Sequence, residues 1–242
     1  MSKNIMPGTL YLVPAPLGDG DISWVIPEQV KACIERLTYF VVEHPKTARK
    51  FLKQLDCLVP LQDIKMQVLD EHTPPADILS LLEPLLAGND VGLLSEAGCP
   101  AVADPGAGLV RMAHQKGIKV VPYVGPSSIL LALMASGLNG QQFAFNGYLS
   151  IKHEARISQI LALEKLSMVQ DQTQIFIETP YRNQKLLALL LETCKDSSEL
   201  CVACDITGAG EYIETKTVKA WKHALPDINK RPAIFLLHGK SS

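Results

Sequence analysis

The chain lacks the fingerprints of the common catalytic architectures. No GxGxxG follows its first strand-like run, which excludes a standard dinucleotide site. No GxxxxGK[ST], HExxH or GxSxG occurs anywhere in the 242 residues. A surplus of positive charge is also absent: 23 Lys and Arg stand against 25 Asp and Glu, so a chain-wide basic footprint for gripping phosphates is missing. No apolar run reaches transmembrane length and no secretory leader opens the sequence, so a cytoplasmic location with no membrane partner is expected. Internal repeats and low-complexity stretches are missing as well.

Cysteine is sparse and scattered. The six are Cys33, Cys57, Cys99, Cys194, Cys201 and Cys204, a distribution that fits a reducing compartment. Cys201 and Cys204 form a lone CxxC within an apolar run that reads as a strand. Positions i and i+3 of a strand face opposite sides, which suits neither a metal nor a disulfide, so both are expected to be packing residues. The six histidines share no ligand spacing, and no metal is expected.

What is present is ample apolar residue, 47 % of the chain against 20 % charged, enough for one large core or two smaller ones and too much for disorder. Strand-like and helix-like segments alternate. Strands are expected at Thr9–Val13, Thr38–Glu43, Val91–Ser95 and Ile118–Val124, with helices at 27–37, 45–55, 105–116 and 128–136. Thr73 and Pro74 mark a helix start and Gly88 a stop, with Pro84 forcing a kink or two short helices. Asp104 is expected as an N-cap, with Pro105 in the first helical position. This alternation predicts βαβ units and a largely parallel sheet. From residue 124 the texture changes: strands at 142–146, 173–178, 199–204, 211–215 and 233–237 and helices at 153–169 and 181–194 predict a mixed sheet. The expected domains are therefore 1–123 and 124–242, with a cleft between them.

Two Gly/Pro loops follow strands of the first half: Ser95-Glu96-Ala97-Gly98-Cys99-Pro100-Ala101-Val102-Ala103-Asp104-Pro105-Gly106, and Gly125-Pro126-Ser127-Ser128 opening into an apolar helix. Ligands of open α/β sheets sit at the carboxyl ends of the strands, where such loops lie, and glycine lets backbone approach them closely. The turn Pro14-Ala15-Pro16-Leu17-Gly18 after the first strand is too stiff to wrap a diphosphate but suited to lining an apolar slot.

Taken together, LYLVPAPLGD, SEAGCPAVADPGAGLVRMA, GIKVVPYVGPSSILLALMASGL, FAFNGYLS and FIETPYR resemble, in order and spacing, the tetrapyrrole-methylase-like S-adenosylmethionine-dependent methyltransferases. Within them the stretches are most similar to the bacterial 16S rRNA cytidine 2′-O-methyltransferase branch, over residues 9–238. The resemblance implies a two-domain α/β enzyme with a parallel-sheet N-terminal domain and a mixed-sheet C-terminal domain. It implies S-adenosyl-L-methionine held in the cleft between the domains, and a homodimer. Carried over position by position, it places cofactor contacts at Pro14, Ala15, Pro16, Ser95, Glu96, Ala97, Gly98, Pro100, Val102, Gly125, Pro126, Ser127, Ser128, Tyr148, Leu149 and Thr179. The candidate catalytic residues are Glu43, Glu178 and Arg182.

The departures fall on charge. Glu43-His44-Pro45-Lys46 stands where the rRNA branch has Glu-Asp-Thr-Arg, and Cys204-Asp205-Ile206-Thr207-Gly208 replaces Arg-Glu-Leu-Thr-Lys, losing both cations. The isolated protein is therefore expected to bind naked RNA weakly, with any rRNA acceptor presented in a ribosomal particle. A tetrapyrrole or other small acceptor, and a non-catalytic cofactor-binding domain, are the alternatives. Lys46, Arg49, Lys50 and Lys53 form one helical face, either a local basic grip or a solvated surface.

Overall fold

In a computed structural model, which describes residues 6–55 and 57–240, the chain divides into two compact units between Ser127 and Ser128. The first unit holds five strands, β1 (Thr9–Val13), β2 (Tyr39–Val42), β3 (Lys65–Val68), β4 (Val91–Leu94) and β5 (Lys119–Pro122), in the order β3-β2-β4-β1-β5. Every pairing is parallel, with Leu10 opposite Val91 and Thr9 opposite Lys119. Parallel strands buried on both faces need apolar residues at consecutive positions, and VGLL in β4 is buried throughout.

Strand alternation sends neighbouring side chains to opposite layers. Val13, Phe40, Val42 and Leu94 pack under Val30 and Ile34 of α1 (Glu28–Ile34) and Ala48, Phe51 and Leu52 of α2 (Pro45–Gln54). Leu10, Val41, Val91 and Leu93 pack on the other side, beneath Leu81, Leu82 and Leu85, and beneath Leu109 and Ala113 of α4 (Ala107–Gln115). Leu85 belongs to α3 (Glu83–Leu86), which follows a 3-10 helix at Asp77–Leu82, so Pro84 resolves into two short helices.

The sequence pattern misplaces two features. The helix after β4 starts at Ala107, not Pro105, because Ala101 (φ 67°) and Ala103 (φ 56°) turn the chain tightly before it. Asp104 caps that turn, accepting from the amide of Gly106 at 2.9 Å and from that of Ala101 at 3.4 Å. Strand β3, Lys-Met-Gln-Val, alternates over only four residues, too short a span to betray it, and it is an edge strand with both end residues exposed.

The second unit opens with α5 (Ser128–Ser136) and carries β6 (Phe143–Tyr148), β7 (Thr173–Ile177), β8 (Glu199–Cys204), β9 (Tyr212–Thr217) and β10 (Ala233–His238) in the order β6-β7-β10-β8-β9. Only β6 and β7 run parallel; the sheet is mixed. Helices α6 (His153–Gln170), α7 (Asn183–Thr193) and α8 (Val218–Trp221) accompany it, and Phe176, Leu187, Leu190, Val202, Trp221 and Phe235 share one core. Cys201 and Cys204 are buried in β8, and burial pushes both thiols up to about 11. Neither is a thiolate at neutral pH. No helix among the described residues is long and apolar enough to cross a membrane.

Candidate functional site

The strand order of the first unit creates a crevice. Strands β1 and β4 are neighbours, yet the chain leaves β1 toward β2 and leaves β4 toward β5, on opposite sides. The loops after adjacent parallel strands then diverge, and ligands settle in the gap. Here the loops are knitted by backbone. The Ala15 amide donates to the Gly98 carbonyl at 2.9 Å, and the Gly98 amide donates back at 3.0 Å. Gly98 sits at φ +73°, a conformation side chains resist, and a Cβ there would meet Leu17 Cδ2 at 3.3 Å. Ser95 Oγ donates to the same Gly98 carbonyl at 3.2 Å.

The third loop is clamped on too. Gly125 lies flat on Pro14, so closely that a Cβ on Gly125 would fall 2.2 Å from Pro14 Cβ. Cys99 Sγ donates to the Pro126 carbonyl at 3.5 Å, and burial raises the pKa of that thiol. Beside this clamp is a cavity of about 140 Å³. Its walls are the turn Ala15–Asp19, the stretch Leu94–Ala97 and the inward side of α2, with Thr47, Ala48 and Phe51. Lys50 reaches over it to Asp19 at 2.8 Å.

Carboxylates gather at the ends of β2 and β4. Glu43 ends β2 half-buried, and its pKa is raised, first by burial and then by the like charges of Asp104 and Glu96. His44 Nδ1 lies 3.5 Å from Glu96 Oε1 in an exposed pair. Among the described residues no cluster of His, Cys, Asp and Glu is built to hold a metal ion.

The second unit handles its carboxylate differently. Glu178, at the end of β7, has a side chain only 2 % exposed. It accepts from Arg182 Nε at 2.9 Å and Nη2 at 2.8 Å, from Arg156 Nη2 at 3.1 Å and from the Thr179 amide at 2.8 Å. Burial pushes its pKa up, but these donors outweigh burial and hold the carboxyl below its ordinary value. Arg156, on α6, is itself buried and also bonds the Ser150 carbonyl. Arg182 reaches outward, its guanidinium 5.1 Å from the centre of the exposed Tyr181 ring.

The structure thus brings Ala15, Pro16, Ser95, Glu96 and Ala97 to one cavity, with Pro14, Gly98, Gly125 and Pro126 in the clamp behind it. Val102 is exposed in the turn before α4. In the second unit Tyr148 is exposed, whereas the Leu149 side chain is committed to the core, leaving only its backbone to meet a ligand. Thr179 spends its amide on Glu178. Sequence reasoning missed the α2 wall, Thr47, Ala48, Phe51 and Gln54, and the buried partner Arg156. Small residues on the inward side of α2 were the available signal; without the strand order, nothing said which loop they would face.

Comparison with known proteins agrees with this architecture. The profile of the family Tetrapyrrole (Corrin/Porphyrin) Methylases matches residues 9–221. The chain is 31 % identical over 234 residues to the Ribosomal RNA small subunit methyltransferase I of Vibrio cholerae serotype O1, covering 95 % of this chain and 77 % of that protein. It is 30 % identical over 206 residues to the protein of the same name from Bacillus subtilis (strain 168), covering 83 % and 64 %. Among solved structures, one described as the crystal structure of the methyltransferase CobJ superposes with a TM-score of 0.64 at 18 % identity, over 96 % of this chain and 94 % of that one, which establishes the shared fold. The parallel sheet, the mixed sheet and the matched profile lead to one assignment: the chain belongs to the tetrapyrrole methylase family, as a methyltransferase whose methyl donor is S-adenosyl-L-methionine.

Proposed function

We propose that the acceptor is a ribose 2′-hydroxyl of small-subunit ribosomal RNA. The observation that carries this reading is the match, over nearly the whole chain, to relatives named for that RNA. The donor set of the first unit fits the cofactor. At about 140 Å³ the cavity is smaller than the ~300–1,000 Å³ of whole-ligand pockets, so it suits one end of a nucleoside-sized molecule. Its walls offer the backbone of Glu96 and Ala97 together with apolar Ala15, Pro16 and Leu17, a combination that takes a purine ring by contact and edge hydrogen bonds. The Gly98 and Ala15 amides are spent on each other, so they shape the site and do not touch the ligand. Pro100, Val102, Ser127, Ser128, Tyr148, Leu149 and Thr179 complete the proposed contacts on the family resemblance.

When bound, the cofactor supplies an electrophilic methyl group on a sulfonium. The protein's task is to hold the acceptor oxygen on axis at about 3 Å and keep water out. Glu43 is the carboxylate suited to take the hydroxyl proton, because burial and the neighbouring Asp104 and Glu96 raise its proton affinity. Glu178 has the opposite character: saturated by two guanidinium groups and an amide, it is a positioning residue that fixes the Arg182 guanidinium as a binding group for an anion such as a substrate phosphate. A homodimer in the cytoplasm is part of the same proposal.

The test uses labelled S-adenosylmethionine with three acceptors: small ribosomal subunits from a strain deleted for this gene, their extracted RNA, and that strain's small-molecule pool. Label entering 16S RNA within the particle is expected. Label confined to the small-molecule pool overturns the rRNA assignment in favour of a small acceptor.

A further inference from the structure

Helix α2 has a composition unlike the rest of the chain. Its ten residues, PKTARKFLKQ, include four cations and no acid in a protein whose net charge is −2. At 100° per residue, Lys46, Arg49, Lys50 and Lys53 fall within about 100° of arc, on the side opposite buried Ala48, Phe51 and Leu52. Lys50 is paired with Asp19, which pins the helix to the turn after β1. Lys46, Arg49 and Lys53 are exposed and have no carboxylate partner among the described residues. A helix kept only for solubility would mix both signs on its outer face. Three unpaired cations along about 10 Å of helix axis are an electrostatic track.

The position of the track gives it a purpose. The other flank of the same helix, through Thr47, Ala48 and Phe51, walls the cavity assigned to the cofactor. A polyanion lying along the outer face of α2 is thereby brought to the mouth of that cavity. We propose that α2 is the docking surface for the phosphate backbone of the acceptor RNA, with Lys46, Arg49 and Lys53 as the phosphate-binding side chains. This rests on the RNA acceptor proposed above and adds the surface that grips it. Carboxylates Glu43 and Glu96 stand just before the amino end of the helix and repel phosphate beyond Lys46. The strand is therefore expected to run along Lys46, Arg49 and Lys53, with the hydroxyl rather than a phosphate facing Glu43. Three contacts are few, in keeping with weak binding of naked RNA.

Three proteins decide the matter: wild type, the triple variant K46A/R49A/K53A, and the charge-conserving K46R/R49K/K53R. Fluorescence anisotropy with a single-stranded 16S fragment is titrated across salt, and KM is measured on small ribosomal subunits. Each released phosphate contact contributes about 0.7 to the salt slope of single-strand binding, so the triple alanine variant should lose about 2 units of slope. It should bind about 50-fold more weakly at 150 mM salt. KM for particles should rise, with kcat and calorimetric S-adenosylhomocysteine affinity unchanged, and the charge-conserving variant should behave as wild type. An unchanged slope and KM in the alanine variant, with particle methylation intact, overturns the docking surface and leaves the rRNA acceptor standing. Methylation by the wild type of the small-molecule pool alone overturns the acceptor as well. A third arm uses vesicles containing phosphatidylserine: sedimentation of the wild type but not the alanine variant, without any difference on RNA, would reassign the track to a membrane surface.

Discussion

Both units carry their candidate residues at the carboxyl ends of strands, but they build those ends from different materials. In the first unit, glycine and proline loops are tied by main-chain bonds, Ala15 to Gly98 in both directions, and by the contact of Gly125 with Pro14. Side chains there are small, and the pairs around them, His44 with Glu96 and Lys50 with Asp19, are exposed. In the second, a fully buried carboxylate is surrounded by two guanidinium groups and an amide. A backbone clamp fixes the outline of the cavity beside it through groups that do not titrate. An ionic clamp aims a long cation with precision, at the cost of burying charge. The first suits a ligand recognised by its outline, the second a ligand recognised by its charge.

The ionic clamp is the more fragile. Glu178→Ala leaves Arg156 buried without its counter-charge, and removing one partner of a buried pair costs on the order of 3–5 kcal/mol. Urea denaturation should show that loss. The sign with pH follows from the depressed carboxyl. Its stabilisation is present above the ordinary glutamate range and is lost as pH falls through the lower folded value. An acid titration of wild type should therefore show a destabilising limb that Glu178→Ala lacks. If both proteins lose stability along the same curve, the clamp does not govern the second unit.

Glu43 runs the other way. Its raised folded pKa means that the charged form is disfavoured in the native state, a penalty present above that value and relieved as pH falls. Glu43→Gln should leave stability at neutral pH unchanged or slightly higher. It should lower kcat by about 10²-fold and remove the acid limb of the kcat profile, as expected when a general base is lost. Full activity with an unaltered pH profile would exclude Glu43 as the base.

The backbone clamp breaks by volume. Gly125→Ala drives a methyl group into the Pro14 ring, overpacking worth about 1–3 kcal/mol, and the shift of the first loop should weaken cofactor binding at least tenfold. Isothermal titration with S-adenosylhomocysteine measures it. Retention of wild-type affinity would mean that the Pro14 turn is not part of the site.

Much of this was legible in the sequence, and what was not has definite causes. The alternation of β and α, the parallel-then-mixed sheets and most helix limits follow from local pattern. Arg182 could be paired with Glu178 from its spacing, four residues on, but Arg156 lies 22 positions earlier and only the packing of α6 on β7 brings it in. Edge strand β3 hid because four residues with exposed ends are too short a span for their alternation to register. The role of α2 as a cavity wall depended on β1 and β4 being neighbours, a fact of strand order that no local pattern encodes.

The smallest predicted effect draws the sharpest line. Gly98 (φ +73°) and Gly117 (φ +68°) share a left-handed conformation, and alanine at either costs about 1 kcal/mol for the backbone alone. Their surroundings differ. A Cβ on Gly117, at the end of α4, meets nothing within 4 Å, while one on Gly98 presses Leu17 and approaches the Pro126 carbonyl at 3.6 Å. Both variants should therefore lose similar stability in thermal melts. Only Gly98→Ala should lose cofactor affinity, because Leu17 lines the cavity and must move. Equal affinity in the two variants would show that the strain at Gly98 serves the turn and not the ligand. Selective loss would locate recognition in the shape of the backbone, the property that separates this unit from its charged counterpart.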